Sequence, residues 1–227
     1  RDLLESRGLG DVYKRQDLDA VYIATPHDTH FLYSMACIRK NIHVLCEKPL
    51  TLNASESMIL INAAIKKKVF LMEAFMYRCH PQTFKILELV EKYFIGKRVK
   101  IKSSFGFTTD VSKEHRLRNP NLAGGAILDV GCYPLSMARL ISGKLNRMDF
   151  ADPTDISIEG ELDETGVDAK STAILDFTDE ISAEIKTAIH EEYENNLIIE
   201  SDDLCLEVSD PWPVSYTHLR AHETPAN

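Results

Sequence analysis

The chain has 227 residues, 44% of them hydrophobic, with a formal net charge of -9 and a pI near 5.4. Enough apolar material is present for one or two packed domains, and the acidic balance argues against nucleic acid or an anionic membrane, which call for clustered Lys and Arg, and for a small partner. No apolar run approaches the ~18 residues of a membrane span, no signal-peptide core opens the chain, and five cysteines without a CxxC pair read as reduced thiols of a cytoplasmic protein.

Residues 1–16, "RDLLESRGLGDVYKRQ", and 214–227, "VSYTHLRAHETPAN", share no periodicity with what they flank and read as non-native flanks of the adapter read-through kind. Gly8 and Gly10 imitate a dinucleotide loop, but no buried strand precedes them and no third small residue follows at the required spacing. His218 and His222 lie in the second flank and carry little weight as metal ligands.

The intervening chain predicts a partial Rossmann domain over 17–96 and a second domain over 97–213. The run Ala20 to Ala24 reads as a buried parallel strand. A helix from near Asp28 to Asn41 carries Phe31, Leu32, Met35 and Ile38, and "IHVLCEKP" is the next buried strand, stopped by Pro49. Asn53, three residues before Glu56, opens a helix with Met58, Ile61 and Ile65 on one face and lysines in its last turn. "VFLMEA" is a third strand, so strand, helix, strand, helix, strand predicts part of a doubly wound parallel sheet, followed by a helix over 81–95 that ends at Gly96. Beyond it Val99, Ile101, Phe105 and Phe107 alternate with basic residues, a strand with one wet face. A helix with Ile127, Val130, Met137 and Ile141 in phase follows, which Pro134 should bend or begin. From Asp155 to about Ser209, short alternating segments predict an antiparallel meander whose wet face carries Glu184 and Lys186. The fold class is therefore α/β: the C-terminal part of a Rossmann sheet, then an α/β domain on an open, mainly antiparallel sheet.

Lys48 stands at the C-terminal end of a parallel strand, where open α/β sheets place ligands; alternatively it only solvates the strand end. Asp129 and Tyr133, four residues apart, share one face of a helix. His27 and His30 form HxxH, but nothing in sequence completes a metal site, so no metal is expected.

Four blocks in order, "AVYIATPHDTH", "HVLCEKPLT", "MEAFMYRCHP" and "GGAILDVGCYP", resemble the Gfo/Idh/MocA superfamily of glucose-fructose oxidoreductase and inositol dehydrogenase type, from about Asp17 to Pro213. The resemblance implies an NAD(P)-dependent oxidoreductase, using NAD or NADP, that moves a hydride between nicotinamide and a secondary alcohol of a sugar, cyclic polyol or dihydrodiol. It implies a homodimer through the C-terminal sheet. Thr25, Pro26, His30, Glu47 and Lys48 would lie at the cofactor, and Lys48 would also touch substrate oxygen. His27 would face the substrate mouth, with Arg78 and His80 either near the pocket or simply in a charged loop. Arg116 would meet substrate hydroxyls or is an ordinary surface arginine.

Where the family commonly has Asp and His, this chain has Asp129 and Tyr133, a variant resembling the dimeric dihydrodiol dehydrogenase and pentose dehydrogenase branch, which "DETGVD" at 163–168 also fits. A free phenol, with a pKa near ~10, is a poor base at neutral pH, and a nearby ammonium lowers it. Lys48 could supply that charge; otherwise Tyr133 is a packed tyrosine bonded to Asp129. The glycine-rich loop and ribose selector of the family have no counterpart here, so the chain reads as an internal fragment, inactive alone. A noncatalytic sugar- and dinucleotide-sensing regulator of the same fold is the other functional reading.

Overall fold

The computed structural model describes residues 18–212 and the backbone of strand Leu219–Glu223. Gly8, Gly10 and His218 lie outside the described residues, and of His222 only the strand backbone is described. Contacts divide the chain into two compact units after Ala74.

In the first unit β1 (Ala20–Ile23), β2 (His43–Cys46) and β3 (Leu71–Glu73) form a parallel sheet in that order. A 3-10 turn (His27–Thr29) leads into α1 (His30–Arg39), and α2 (Ala54–Lys67) joins β2 to β3. Asn53 caps α2, its side chain accepting from Glu56 N at 3.0 Å, while Glu56 reaches back to Leu52 N at 3.3 Å. Lys68, in a left-handed conformation, ends the helix. Ile23, Val44 and Cys46 pack with Met35, Ile38, Leu60 and Ala64 in one core.

Two expectations are corrected here. The apolar runs predict strands buried on both sides, yet β2 alternates between exposed and buried residues. Tyr22, Leu45 and Met72 are register partners on the second face, and Tyr22 and Leu45 are exposed because both helices lie on the other side. The apolar face predicted for α2 points outward: Met58, Ile61 and Ile65 are exposed, while Leu60 and Ala64 are buried. The helix carries two apolar stripes, and periodicity alone does not say which one meets the sheet.

The second unit starts with a 3-10 turn (Met76–Cys79) and α3 (Pro81–Tyr93). Placing the domain boundary at Gly96 assigned α3 to the Rossmann half. Instead Ile86, Val90 and Phe94 are buried with Ile101, Met137 and Ile141, so α3 belongs to the core that follows it. Strands β4 (Val99–Gly106), β5 (Asp155–Leu162), β6 (Asp168–Thr178), β7 (Ile181–Ala188), β8 (Asn196–Glu200), β9 (Leu204–Ser209) and β10 (Leu219–Glu223) form one sheet in the order β10-β9-β8-β4-β7-β6-β5. The continuous meander predicted from Asp155 onward is interrupted: β4 lies between β7, to which it is parallel, and β8. Alternation specifies which face of a strand is wet, not which strand lies beside it. The wet face carries the expected Glu184 and Lys186, 3.2 Å apart, with Lys100 3.2 Å from Glu184. The other face packs against α3 and α4 (Cys132–Leu145), which continues a π turn at Ile127–Gly131. Pro134 sits in the first turn of α4, directly after the π turn, so it accompanies the change from π to α winding and lies at neither a free helix start nor a bend within α4. Among the described residues no helix is long and apolar enough to cross a membrane.

The β5–β6 turn braces the loop between β4 and the π turn. Arg118 Nε donates to Asp163 Oδ2 at 2.9 Å, Arg118 Nη1 to Val111 O at 3.0 Å, and Thr165 N to Asp163 Oδ1 at 2.6 Å. Burial pushes the Asp163 carboxyl up, but the bonds from Thr165 and Arg118 outweigh it and hold the pKa at about 2. A folded pKa below the ordinary 3.8 stabilises the protein above that value, and the contribution is lost as pH falls toward 2. Asp163→Asn is expected to cost about 2 kcal/mol at neutral pH, and the difference from the parent should shrink between pH 4 and pH 2, as read by denaturant titration at each pH.

Candidate active site

The candidate residues fall into two clusters, one in each unit. In the first, parallel pairing ends at Ile23 and Cys46, after which Glu47 N donates to Ile23 O at 2.8 Å and Ala74 N to Cys46 O at 2.7 Å. Lys48 follows directly, half-buried, and its bond to Pro49 is cis. Glu47 accepts from Tyr22 Oη at 2.5 Å and from Lys48 N at 3.3 Å; the hydrogen bond to Glu47 raises the Tyr22 pKa above its ordinary 10.0. Glu73 accepts from Leu50 N at 2.8 Å, tying the same loop to β3. Thr25 and Pro26 are exposed just past β1, with Thr29 Oγ1 donating to Thr25 Oγ1 at 2.7 Å. His30 is fully buried, its ring nitrogens facing Pro49 O at 2.7 Å and Thr25 O at 2.8 Å. His27 is buried in the preceding turn, edge-on to His30 with ring centroids 5.8 Å apart. Among the described residues no group of three His, Cys, Asp or Glu side chains is placed to hold a metal.

The second cluster is built on the π turn. Gly125 has φ +116, a conformation that favours glycine. The Asp168 carboxylate beside it accepts from Ile127 N at 2.6 Å, capping the turn. Burial pushes the Asp168 carboxyl up, opposed by the backbone N–H bonds it receives. "DETGVD" thus holds the site's loop at two points: Asp163 braces its middle and Asp168 its exit.

Asp129, buried, accepts from Arg116 Nη1 at 2.7 Å. Tyr133, 5% exposed, sits among Phe75, Tyr77, Phe105 and Trp212, with ring centroids 5.3 to 6.1 Å away, and its hydroxyl donates to Met76 Sδ at 3.4 Å. Arg78 Nη2 donates to Ser136 Oγ at 2.5 Å, and its guanidinium lies 4.4 Å from the Phe150 ring centroid. His80 caps α3, its Nδ1 accepting from Gln82 N at 3.2 Å.

The structure therefore gathers Thr25, His30, Glu47 and Lys48 in the first unit, and joins Arg116 to Asp129 in the second. Arg78 and His80 are engaged in packing and capping. Sequence reasoning missed Glu73 and Tyr22, which tie the Lys48 loop to its neighbouring strands, and the aromatic surround of Tyr133. Trp212, the single tryptophan, is 79 residues from Tyr133, so no local pattern could have linked them.

Residues 5–75 match the oxidoreductase family with an NAD-binding Rossmann fold, and residues 84–208 match the GFO/IDH/MocA C-terminal domain. The chain belongs to the Gfo/Idh/MocA oxidoreductase family. The first of these matches begins at residue 5, inside the 1–16 segment. Among curated Gfo/Idh/MocA relatives, the chain is 37% identical over 171 residues to D-xylose 1-dehydrogenase (NADP(+)) 2 of Haloferax volcanii, covering 75% of this chain and 50% of that protein. It is 32% identical to the trans-1,2-dihydrobenzene-1,2-diol dehydrogenase of Xenopus tropicalis, covering 79% and 52%. The chain spans about half the length of these curated relatives. Two solved structures share the fold: the aldose-aldose oxidoreductase of Caulobacter crescentus, with a TM-score of 0.82 at 22% identity, 96% of this chain and 65% of that one; and the 3-ketoreductase KijD10 of Actinomadura kijaniata with NADP, with a TM-score of 0.79 at 26% identity, 96% and 69%.

Arg116→Ala would leave the buried Asp129 carboxylate without this partner. The expected loss is about 1–2 kcal/mol, moderated by the exposure of the arginine, and smaller in an Asp129→Asn background; a denaturation double-mutant cycle measures both.

Proposed function

We propose that the full-length protein is an NAD(P)-dependent oxidoreductase acting on a secondary alcohol of a sugar, cyclic polyol or dihydrodiol. The observation that carries this reading is the placement of Lys48 at the carboxyl end of a parallel strand, with Glu47, Pro49 and Leu50 all engaged by neighbouring backbone or side chains. The family membership supports it, as do the sugar and diol dehydrogenases among its relatives. The NADP in the name of the xylose dehydrogenase and in the structure of the ketoreductase favours NADP over NAD.

The residues present suit one end of a dinucleotide. An ammonium at Lys48 and a hydroxyl at Thr25, both just past strand ends, match the hydroxyl-rich nicotinamide ribose. No glycine occurs between residues 18 and 95, so the phosphate-cradling loop is not supplied by that segment. When bound, the nicotinamide supplies hydride transfer. Lys48 donates a hydrogen bond to the substrate oxygen and stabilises the negative charge that grows there. Tyr133 takes the hydroxyl proton as its phenolate, becoming the neutral phenol, and the Asp129–Arg116 pair fixes the turn directly before Tyr133. The ketoreductase KijD10 has been crystallised with one tyrosine replaced by phenylalanine, which supports a tyrosine of interest on this scaffold.

In the full-length protein assayed on a polyol and aldose panel, Lys48→Ala should lower kcat by about 10²-fold or more while changing dinucleotide Kd far less, and Tyr133→Phe should flatten the pH profile of alcohol oxidation. Dinucleotide and sugar binding with no turnover of any substrate would identify a sensor instead. The wet face of the seven-stranded sheet, with Ile174 beside Glu184, is proposed as a homodimer contact. Sedimentation should give a dimeric mass that Ile174→Lys reduces; a monomeric parent would refute the contact.

A further inference from the structure

We propose that His30 is a positioning residue that bolts the loop after β1 to the loop after β2 and thereby fixes Lys48; this rests on the reading that Lys48 acts on the substrate oxygen. Both ring nitrogens are committed to the protein: Nδ1 lies 2.7 Å from Pro49 O and Nε2 2.8 Å from Thr25 O, and the side chain is fully buried. A carbonyl oxygen only accepts, so each contact calls for an N–H from the ring. The neutral ring donates to one carbonyl and the imidazolium to both.

The position of the bolt matters more than its existence. Parallel pairing of β1 with β2 stops at Ile23 and Cys46, so the residues beyond have no ladder to hold them. Lys48 lies in that unladdered stretch. On its N-terminal side the chain is held by Glu47 N donating to Ile23 O at 2.8 Å. On its C-terminal side Pro49 has no N–H to offer, so its carbonyl is its only backbone handle, and His30 takes it. Leu50 N, on Glu73 at 2.8 Å, is the next restraint. The other nitrogen of His30 holds Thr25, so one imidazole sets the spacing between the two loops that carry Thr25 and Lys48. Misplacing a catalytic group by about 1 Å can cost about 10²-fold in rate, and the ring contributes through placement without touching the substrate.

The test uses the full-length protein with His30→Leu, His30→Gln and Lys48→Ala, measuring kcat on a turned-over polyol, dinucleotide Kd by fluorescence titration, and melting temperature. The expected result is a kcat lowered about 10²-fold in His30→Leu with Kd changed less than about threefold, and partial recovery in His30→Gln, which restores an N–H donor. Parent-like kcat in His30→Leu, while Lys48→Ala is inactive, overturns the proposal. Parent-like kcat in Lys48→Ala overturns instead the reading on which it rests. A lowered melting temperature in His30→Leu with kcat and Kd unchanged would make His30 a purely structural residue and would also overturn it. Should the leucine variant fail to fold, His30→Gln decides alone: kcat reduced about tenfold at unchanged Kd supports the bolt, and parent-like kcat rejects it.

Discussion

Parallel pairing in the first unit is the constraint from which the rest of that unit follows. With Ile23, Cys46 and Glu73 in register, three strands finish on one side and their connecting helices return on one face. The ladder cannot continue past those residues, so every group beyond must be held by something other than sheet hydrogen bonds. After the closing backbone bond of Glu47 N to Ile23 O, that is the work shared by Leu50 N on Glu73 and the His30 ring. A charged side chain at such a point is free of the ladder yet closely fenced, which suits a group that must meet a ligand at a fixed height above the sheet edge.

The second unit solves a similar problem with a helix rather than a strand. The π turn at Ile127–Gly131 places Asp129 inside and hands the chain to α4 with Tyr133 in its first turn. Its entrance depends on a glycine at positive φ and a carboxylate cap from β6. Its partner Arg116 is presented by a loop braced on the β5–β6 turn. Asp129 is thus held by Arg116, on a loop that its near neighbour Arg118 ties to Asp163 and Thr165 of a segment far along the sequence.

Local signals in the sequence were good guides wherever a residue's role is decided by its immediate neighbours. Asn53 caps its helix and β4 alternates as expected, because capping and pleat act within a few residues; Pro49 was a coarser marker, since its strand stops at Cys46. They were poor guides where partners are distant. The outward stripe of α2 looks as apolar as the buried one, since burial depends on which face the sheet meets. The membership of α3 could not be read from Gly96, because glycine marks a break in the chain and not in the core. Of the candidate site, the strand-end position of Lys48 and the Asp129–Tyr133 spacing were readable. His30 was visible as the second histidine of HxxH and, through the family resemblance, as a cofactor-side residue; its two carbonyl partners lie 5 and 19 residues away and are backbone atoms, which leave no trace in residue identity.

The π turn also bears on how this segment tolerates change in length. A π turn holds one residue more than an α turn, so losing a single residue from 127–131 could be absorbed by winding that turn as ordinary α-helix. The helix on either side would keep its phase, because the deletion takes out the turn's extra residue and not a step of the α-helix. Tyr133 would stay in its aromatic surround, and only the residues inside the turn, Asp129 among them, would change place. Gain or loss of one residue here therefore re-aims the acidic residue locally against a stationary tyrosine, without rebuilding the core.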